Sequence, residues 1–134
     1  MENVTASGQF GDKPTLTFTS PTPPKELLVE VLEEGDGAVV KAGDTIVCNY
    51  LGQVWDGPVF DNSYDRGAPV DFGIGVGMVI AGWDQALVGQ RVGSRVLMSI
   101  PSDLAYGPRG IPQAGIKGGA TLVFVVDILE AVKG

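Results

Sequence analysis

Apolar and polar residues alternate in short runs along most of this chain, with the period of two that is typical of half-buried β-strands. Alternate apolar side chains at residues 45–50 and 95–100 predict two such strands. Residues 121–129 carry the longest apolar run and predict the longest strand. Shorter strands are predicted at 27–32 and 70–72, between clusters of glycine and polar residues.

One segment has a convincing helical pattern. It runs from Ala81 to Val88, about two turns of helix, and Gly89 is placed to end it. The dipeptide Asp56-Gly57 is a strong turn signal. Short strands joined by turns around a single helix predict an α+β fold, in which a curled, mainly antiparallel β-sheet wraps around one short α-helix.

The first 24 residues differ in composition from the rest of the chain. They hold four of the nine prolines and only three charged side chains. Residues 15–19 alternate with period two, which favours an added edge strand and a partly ordered arm about equally. The predicted organisation is an N-terminal arm, residues 1–24, followed by one main domain, residues 25–134.

Length and charge restrict the partners. A chain of 134 residues with 44% hydrophobic content suits one domain with one core. Nine basic residues against sixteen acidic ones give a net charge of −7, which disfavours nucleic acid because phosphate binding depends on Lys and Arg. The chain has no basic amphipathic stretch for a membrane surface, and its longest strongly apolar run, Leu122–Val126, is too short to span a bilayer. We expect no nucleic-acid partner and no membrane partner.

The absence of histidine excludes several chemistries. It removes histidine-dependent nucleophilic catalysis, and with a single cysteine it excludes a structural zinc site on ligand count. Residues 61–65 have carboxylates at calcium-loop spacing, but Phe72 stands where such a loop needs its glutamate. The glycines at 73, 75 and 77 do not match a phosphate-binding loop. We therefore expect no metal and no cofactor, and a function that needs only shape, apolar surface and a few hydrogen bonds.

The single cysteine, Cys48, lies in an apolar run and is expected to be a buried thiol. An unpaired thiol suggests a reducing compartment. The start MENVTASGQF lacks the positive and apolar regions of a secretory signal. These features together predict a cytoplasmic protein.

The main domain carries seven short motifs, which are VCNYLG at 47–52, GPVFDNS at 57–63, VIAGW at 79–83, VGSR at 92–95, IP at 100–101, AYG at 105–107 and ATLVF at 120–124. In this order and at these spacings, residues 27–130 resemble the FKBP-type peptidyl-prolyl cis-trans isomerases. The resemblance implies an FKBP-like fold and an enzyme that accelerates rotation about X–Pro bonds and assists protein folding. It also implies proline-containing polypeptides as partners, macrolides such as tacrolimus and rapamycin as inhibitors, and a monomer.

The resemblance also assigns a site. Asp61 and Tyr106 are the expected catalytic residues, as a hydrogen-bond acceptor and a hydroxyl donor, and Trp83 is the expected floor under the proline ring. The backbone N–H of Ile80 is the expected donor to a ligand carbonyl. The expected substrate-binding residues are Tyr50, Phe60, Val70, Val79, Ile80, Trp83, Ile111, Ile116 and Phe124. Phe72 is interpreted as a core residue, and a solvated turn residue is the alternative for Asp61.

Two departures from the family pattern bear on specificity. Val70 stands where the family often has Phe, and the loop 108–112 is one residue longer than in the shortest members and lacks their histidine. The alternative functions are a non-catalytic module that binds proline segments or a partner, and a folding chaperone, for which the loop 106–120 is too short to hold a flap domain. Because every expected site residue lies at Tyr50 or beyond, the N-terminal arm is not expected to affect the rate more than a few-fold.

Overall fold

The computed structural model describes all of residues 1–134 and contains eight β-strands, one α-helix and two short 3₁₀ helices. The strands are β1 (Val4–Ala6), β2 (Leu16–Phe18), β3 (Leu28–Glu33), β4 (Thr45–Val54), β5 (Val59–Asn62), β6 (Val70–Gly73), β7 (Arg95–Ile100) and β8 (Leu122–Val132). The α-helix is α1 (Ala81–Leu87), and the 3₁₀ helices are Ser102–Leu104 and Pro112–Ala114.

Six of the strands form one antiparallel sheet. They lie in the order β3-β7-β8-β4-β5, and β6 pairs with β4 beside this path. The predicted α+β fold, an antiparallel sheet with one short helix, is confirmed. β4 is longer than predicted, because it pairs with β8 from Thr45 opposite Val132 to Val54 opposite Leu122. Gly52 interrupts the alternation of apolar residues within β4, so the strand predicted from the sequence stopped at residue 50 instead of 54.

The two central strands, β7 and β8, are buried on both faces of the sheet. On β8, Phe124 and Val126 belong to the main hydrophobic core, whereas Val123 and Val125 belong to a second, smaller one. Leu97 on β7 also joins the second core. Alternation along these strands therefore separates two cores rather than a core from solvent.

Helix α1 covers one face of the sheet. Its buried side includes Trp83 and Leu87, and Gly82 allows the close approach: a Cβ atom there would lie 2.5 Å from Cγ2 of Ile100 on β7. The carboxylate of Asp84 accepts hydrogen bonds from the N–H groups of Gly75, at 2.7 Å, and Gly77, at 3.0 Å. The helix thus holds the loop that precedes it. No helix in the structure has both the length and the apolar character that a membrane crossing requires.

The N-terminal arm covers the other face. β2 does form where the alternation predicted a strand, but it pairs with β1 in a separate hairpin and is not an edge strand of the main sheet. Val4 and Leu16 of the hairpin pack with Leu51, Trp55 and other residues of the second core. The indole N–H of Trp55 also donates to the Ser20 carbonyl at 3.0 Å. The apolar outer face of the sheet explains this placement, since it needs a cover.

A buried ion pair joins the arm to the sheet. Nε of Arg95 lies 2.7 Å from Oδ1 of Asp127, and both side chains are inaccessible to solvent. The Gly11 N–H donates to Asp127 at 2.9 Å, and the guanidinium of Arg95 also donates to the carbonyls of Ser7 and Asp12. These additional hydrogen bonds offset the desolvation that makes isolated buried ions unfavourable.

Leu16→Ala tests the hairpin's packing. Leu16 is 8% exposed and the next residue, Thr17, is exposed. We expect Leu16→Ala to lower the free energy of unfolding by about 2–5 kcal/mol, as for other buried leucines. The control Thr17→Ala should change it by no more than about 0.5 kcal/mol. Urea denaturation measures both, and equal small effects would show that the hairpin does not pack on the sheet.

Candidate active site

A pocket of about 190 Å³ opens beside α1 on the main-core face of the sheet. Nine of its ten lining residues are hydrophobic, and the exception is Asp61. Its size and its apolar lining suit a small ring. The lining residues are Tyr50, Phe60, Asp61, Phe72, Met78, Val79, Ile80, Trp83, Tyr106 and Phe124.

Trp83 on α1 is the most enclosed aromatic ring of the pocket, at 3% exposed. Three rings meet it edge to face: Tyr50 at a centroid distance of 5.4 Å, Phe72 at 5.2 Å and Phe124 at 5.4 Å. Its indole Nε1 is buried without a hydrogen-bond partner, and such an N–H among aromatic faces makes at most weak contacts with π electrons. The floor therefore offers dispersion contacts and no strong hydrogen bond.

The wall next to this floor depends on a glycine. Phe60 on β5 and Phe124 on β8 meet edge to face at 5.7 Å. A Cβ atom at Gly52, on β4 between them, would lie 2.7 Å from Cε1 of Phe124 and 2.7 Å from Cζ of Phe60. The two rings occupy the space that any other side chain at position 52 would need.

Asp61, at the end of β5, is the pocket's carboxylate. Its Oδ2 accepts a hydrogen bond from the Tyr50 hydroxyl, and its Oδ1 lies 2.8 Å from Nη1 of Arg66. Burial raises the pKa of the carboxyl, but the hydrogen bonds from Tyr50 and Arg66 and the charge of Arg66 outweigh burial, so the pKa lies below its usual value. Asp61 is therefore ionised at neutral pH.

The two tyrosines of the pocket stay protonated. Burial, and then the hydrogen bond to Asp61, raise the pKa of Tyr50 to about 12. Burial, and then the negative charge of Asp61, raise the pKa of Tyr106 as well. The Tyr106 side chain is 37% exposed, and it lines the pocket with no hydrogen bond to any protein group. Its hydroxyl is available to a ligand as a neutral donor.

The rim is formed by the loop that Asp84 holds. Met78, Val79 and Ile80 line the pocket from this loop, and Met78 is 75% exposed. Ile80 immediately precedes α1. Its backbone N–H donates no hydrogen bond to another backbone group. A carbonyl group in the pocket can therefore pair with it.

The structure brings eight of the residues assigned from the resemblance together around the pocket, and it places three elsewhere. Val70 packs against the main core. Ile111 and Ile116 form an isolated β-bridge: the Ile111 N–H donates to the Ile116 carbonyl at 2.8 Å, and the Ile116 N–H donates to the Ile111 carbonyl at 3.1 Å. Ile116 is buried in the core. None of the three lines this pocket, and their assignment as substrate-binding residues stays a prediction.

Two lining residues were missed. Phe72 was interpreted as plain core, yet it lines the pocket and contacts both Tyr50 and Trp83. The sequence predicted the strand that carries Phe72, but the apolar pattern of a strand does not distinguish a pocket wall from plain core. Met78 lies in a glycine-rich loop without regular structure, and nothing in its local sequence indicated the pocket.

Comparisons with known proteins agree on one family. The model of the FKBP-type peptidyl-prolyl cis-trans isomerases matches residues 37–129. An FK506-binding protein of Streptomyces anulatus is 43% identical over 119 residues, which cover 88% of this chain and 96% of that protein. The Arabidopsis thaliana peptidyl-prolyl cis-trans isomerase FKBP15-1 is 49% identical over 92 residues, or 69% of this chain and 59% of that protein.

A solved structure gives the same result. The crystal structure of FkpA from Escherichia coli aligns with a TM-score of 0.73 and 43% identity, over 80% of this chain and 48% of that chain. The chain thus spans nearly the whole Streptomyces relative but only 59% of the Arabidopsis protein and 48% of the FkpA chain. The extent of the family match and these identities show that the chain belongs to the FKBP-type peptidyl-prolyl cis-trans isomerases.

Proposed function

We propose that the peptidyl-prolyl isomerase activity of this family member resides in the aromatic pocket, where it turns X–Pro bonds of polypeptides and so assists protein folding. The observation that carries the proposal is the composition of the lining: nine hydrophobic residues surround a single carboxylate. The family's activity requires such an environment and no nucleophile, and the chain has no histidine to serve as a general base.

The physical argument starts from the amide bond. Rotation must break amide resonance, which costs ~18–20 kcal/mol, and uncatalysed X–Pro bonds turn in tens to hundreds of seconds. The planar amide separates more charge than the twisted one, so water stabilises the planar ground state more. A proline ring over Trp83 loses that water, and the twisted state is favoured relative to the planar one.

Hydrogen bonds supply a second, smaller contribution. The Tyr106 hydroxyl and the Ile80 N–H are donors for the carbonyl groups next to the proline. Asp61 is an acceptor whose two oxygens are already held by Tyr50 and Arg66, so it acts as a fixed negative charge rather than as an acid. The alternative of a non-catalytic binding module is not favoured, since the comparisons match isomerases and the pocket retains its aromatic residues.

We extend the proposal to macrolide ligands, to the oligomeric state and to the compartment. Three relatives carry names that refer to FK506, and a macrolide with a proline-like ring fits the same floor and donors. Cys48, the only cysteine, is fully buried, and burial raises the pKa of its thiol to about 12. A buried, unreactive thiol does not form an intermolecular disulfide. We propose a monomer and keep the cytoplasm as the proposed compartment.

The pocket assignment is tested with Gly52→Ala. The added methyl group must displace Phe60 or Phe124, and overpacking of this kind costs about 1–3 kcal/mol. We expect kcat/KM for cis-to-trans isomerisation of a proline tetrapeptide to fall about tenfold, since ~1.4 kcal/mol corresponds to a factor of ten. Tacrolimus should inhibit the unmodified protein and bind Gly52→Ala more weakly.

Gly57→Ala is the matched control, because its Cβ would meet only Val54, at 3.2 Å, outside the pocket. It should keep the unmodified rate. Equal rates for the two alanine variants, with circular dichroism showing that both are folded, would show that the reaction does not take place in this pocket.

The roles of Asp61 and Tyr106 are separated by substitution. A neutral hydrogen bond contributes about 0.5–1.5 kcal/mol and a charged one about 1.5–3 kcal/mol. Tyr106→Phe should therefore reduce kcat/KM by up to roughly tenfold, and Asp61→Leu by roughly ten- to a hundredfold. Complete loss of activity in a folded Asp61→Leu protein would mean that Asp61 does obligatory chemistry and that desolvation is not the main effect.

The pH profile should be flat from about pH 6 to 9, since no histidine titrates there. The lowered pKa of Asp61 means that its ionised form, and the hydrogen bonds it accepts, persist at neutral pH and are lost only as pH falls through that pKa. Tyr50 titrates near 12, so nothing in the pocket changes charge in this window. Measured kcat/KM values that form a bell within it would contradict the mechanism.

A further inference from the structure

The N-terminal arm reaches the turn that carries the partner of Asp61. Asp61 is the last residue but one of β5, the chain reverses over residues 62–66, and Arg66 comes back to pair with Asp61. We call residues 62–66 the Arg66 turn. Within it, the N–H of Arg66 donates to the Ser63 carbonyl at 3.1 Å, and the N–H of Asp65 donates to Oδ1 of Asn62 at 2.8 Å.

The start of the Arg66 turn is fixed by the main sheet. Ser63 is fully buried. Its Oγ accepts from the Tyr50 N–H at 2.9 Å, and its own N–H donates to the Tyr50 carbonyl at 2.9 Å. These bonds hold the first half of the turn, and the second half, which places Arg66, extends away from them.

The second half is held by the arm and by the ion pair beneath it. The Tyr64 hydroxyl donates to Oδ2 of Asp127 at 2.8 Å, and the same oxygen accepts the Gly11 N–H of the arm. Nζ of Lys13 lies 2.9 and 3.0 Å from the two carboxylate oxygens of Asp65. This pair is exposed, at 49% and 62%, so the hydrogen bond of Tyr64 to the buried Asp127 supplies the larger part of the support. The loop between β1 and β2 therefore contacts Asp65 directly and is linked to Tyr64 through the Asp127 carboxylate.

Such support matters because the Arg66–Asp61 pair is not buried. The side chains are 49% and 39% exposed, and an exposed pair contributes little by itself because solvent screens it and a long side chain loses conformational freedom. The fraction of time for which Arg66 is paired with Asp61 then depends on where the backbone of the turn places the Arg66 side chain.

We propose that the N-terminal arm positions the active-site carboxylate: through Lys13 and the Gly11–Asp127–Tyr64 contact it holds the Arg66 turn, and the turn orients Arg66 on Asp61. Lys13 and Tyr64 are positioning residues and touch no substrate. The inference rests on the proposed function of the pocket. It also revises the expectation that the arm changes the rate by no more than a few-fold because all the pocket residues lie beyond it in sequence.

The test uses the full chain with the double substitution Lys13→Met/Tyr64→Phe. Asp127 keeps its bonds from Arg95 and Gly11 in this variant, so the fold should persist. We expect kcat/KM for a proline tetrapeptide to fall about three- to tenfold, the range for one lost hydrogen bond. The control Lys133→Met breaks a lysine–carboxylate pair outside the pocket lining, with the buried Asp44, and should leave the rate unchanged.

Two readouts distinguish positioning from general destabilisation. The first is the Asp61 carboxyl titration by ¹³C NMR: its pKa should rise toward that of Arg66→Met, while Tyr50 and Tyr106, the other titratable groups facing Asp61, stay protonated throughout. The second is a double-mutant cycle, in which the Lys13→Met/Tyr64→Phe change should have no further effect in an Arg66→Met background.

An unchanged Asp61 pKa in the folded double variant, or an equal fall in rate in both backgrounds, overturns the proposal. Failure of the pocket assignment has a different signature, which is equal rates for Gly52→Ala and Gly57→Ala. In that case the Asp61 titration still decides whether the arm positions the carboxylate.

Discussion

The double-sided burial of β7 and β8 is the constraint on which the rest of this structure depends. Apolar side chains leave these strands in both directions, with Val126 and Met98 in one core and Val125 and Leu97 in the other. Each face therefore needs its own cover, because apolar surface removed from water is the main stabilising contribution to a fold. Helix α1 covers one face and the β1–β2 hairpin covers the other.

The active site follows from the way the first cover is built. A helix of seven residues cannot fill the whole concavity, and Gly82 brings it close enough for Trp83 to reach the sheet. What is left beside Trp83 is a space lined by the core's own aromatic rings. A catalyst that works by withdrawing water from an amide needs such a lining, so the pocket is an extension of the core rather than a separate structure.

The second cover places the arm beside the polar part of the site. Arg95 and Asp127 lie under the hairpin, where an ion pair is favourable only if its remaining hydrogen bonds are satisfied. The arm and Tyr64 supply these bonds. Because the buried ion pair needs these bonds, the arm and the Arg66 turn both contact Asp127. The turn also carries Arg66, which pairs with Asp61, so the arm is connected to the active-site carboxylate.

The local pattern of the sequence determined much of this protein. Period two at residues 45–50 and 95–100 correctly predicted strands, because alternate burial is a local property of a strand on a core. The pattern at Ala81–Val88 predicted α1 to within one residue, with the glycine after it. The family motifs also brought Tyr50, Asp61 and Trp83 to one pocket, since each motif occupies a set position in a shared fold.

The tertiary structure alone decided the rest. Ile111 and Ile116 pair through reciprocal backbone hydrogen bonds within their loop, and local composition does not encode how a loop closes. The sequence predicted a strand at residues 15–19 but not the face it covers, since that choice depends on which distant apolar surface is left open. Gly11 and Asp127 are 116 residues apart in the chain, and only the packing of the hairpin on the sheet brings them into contact.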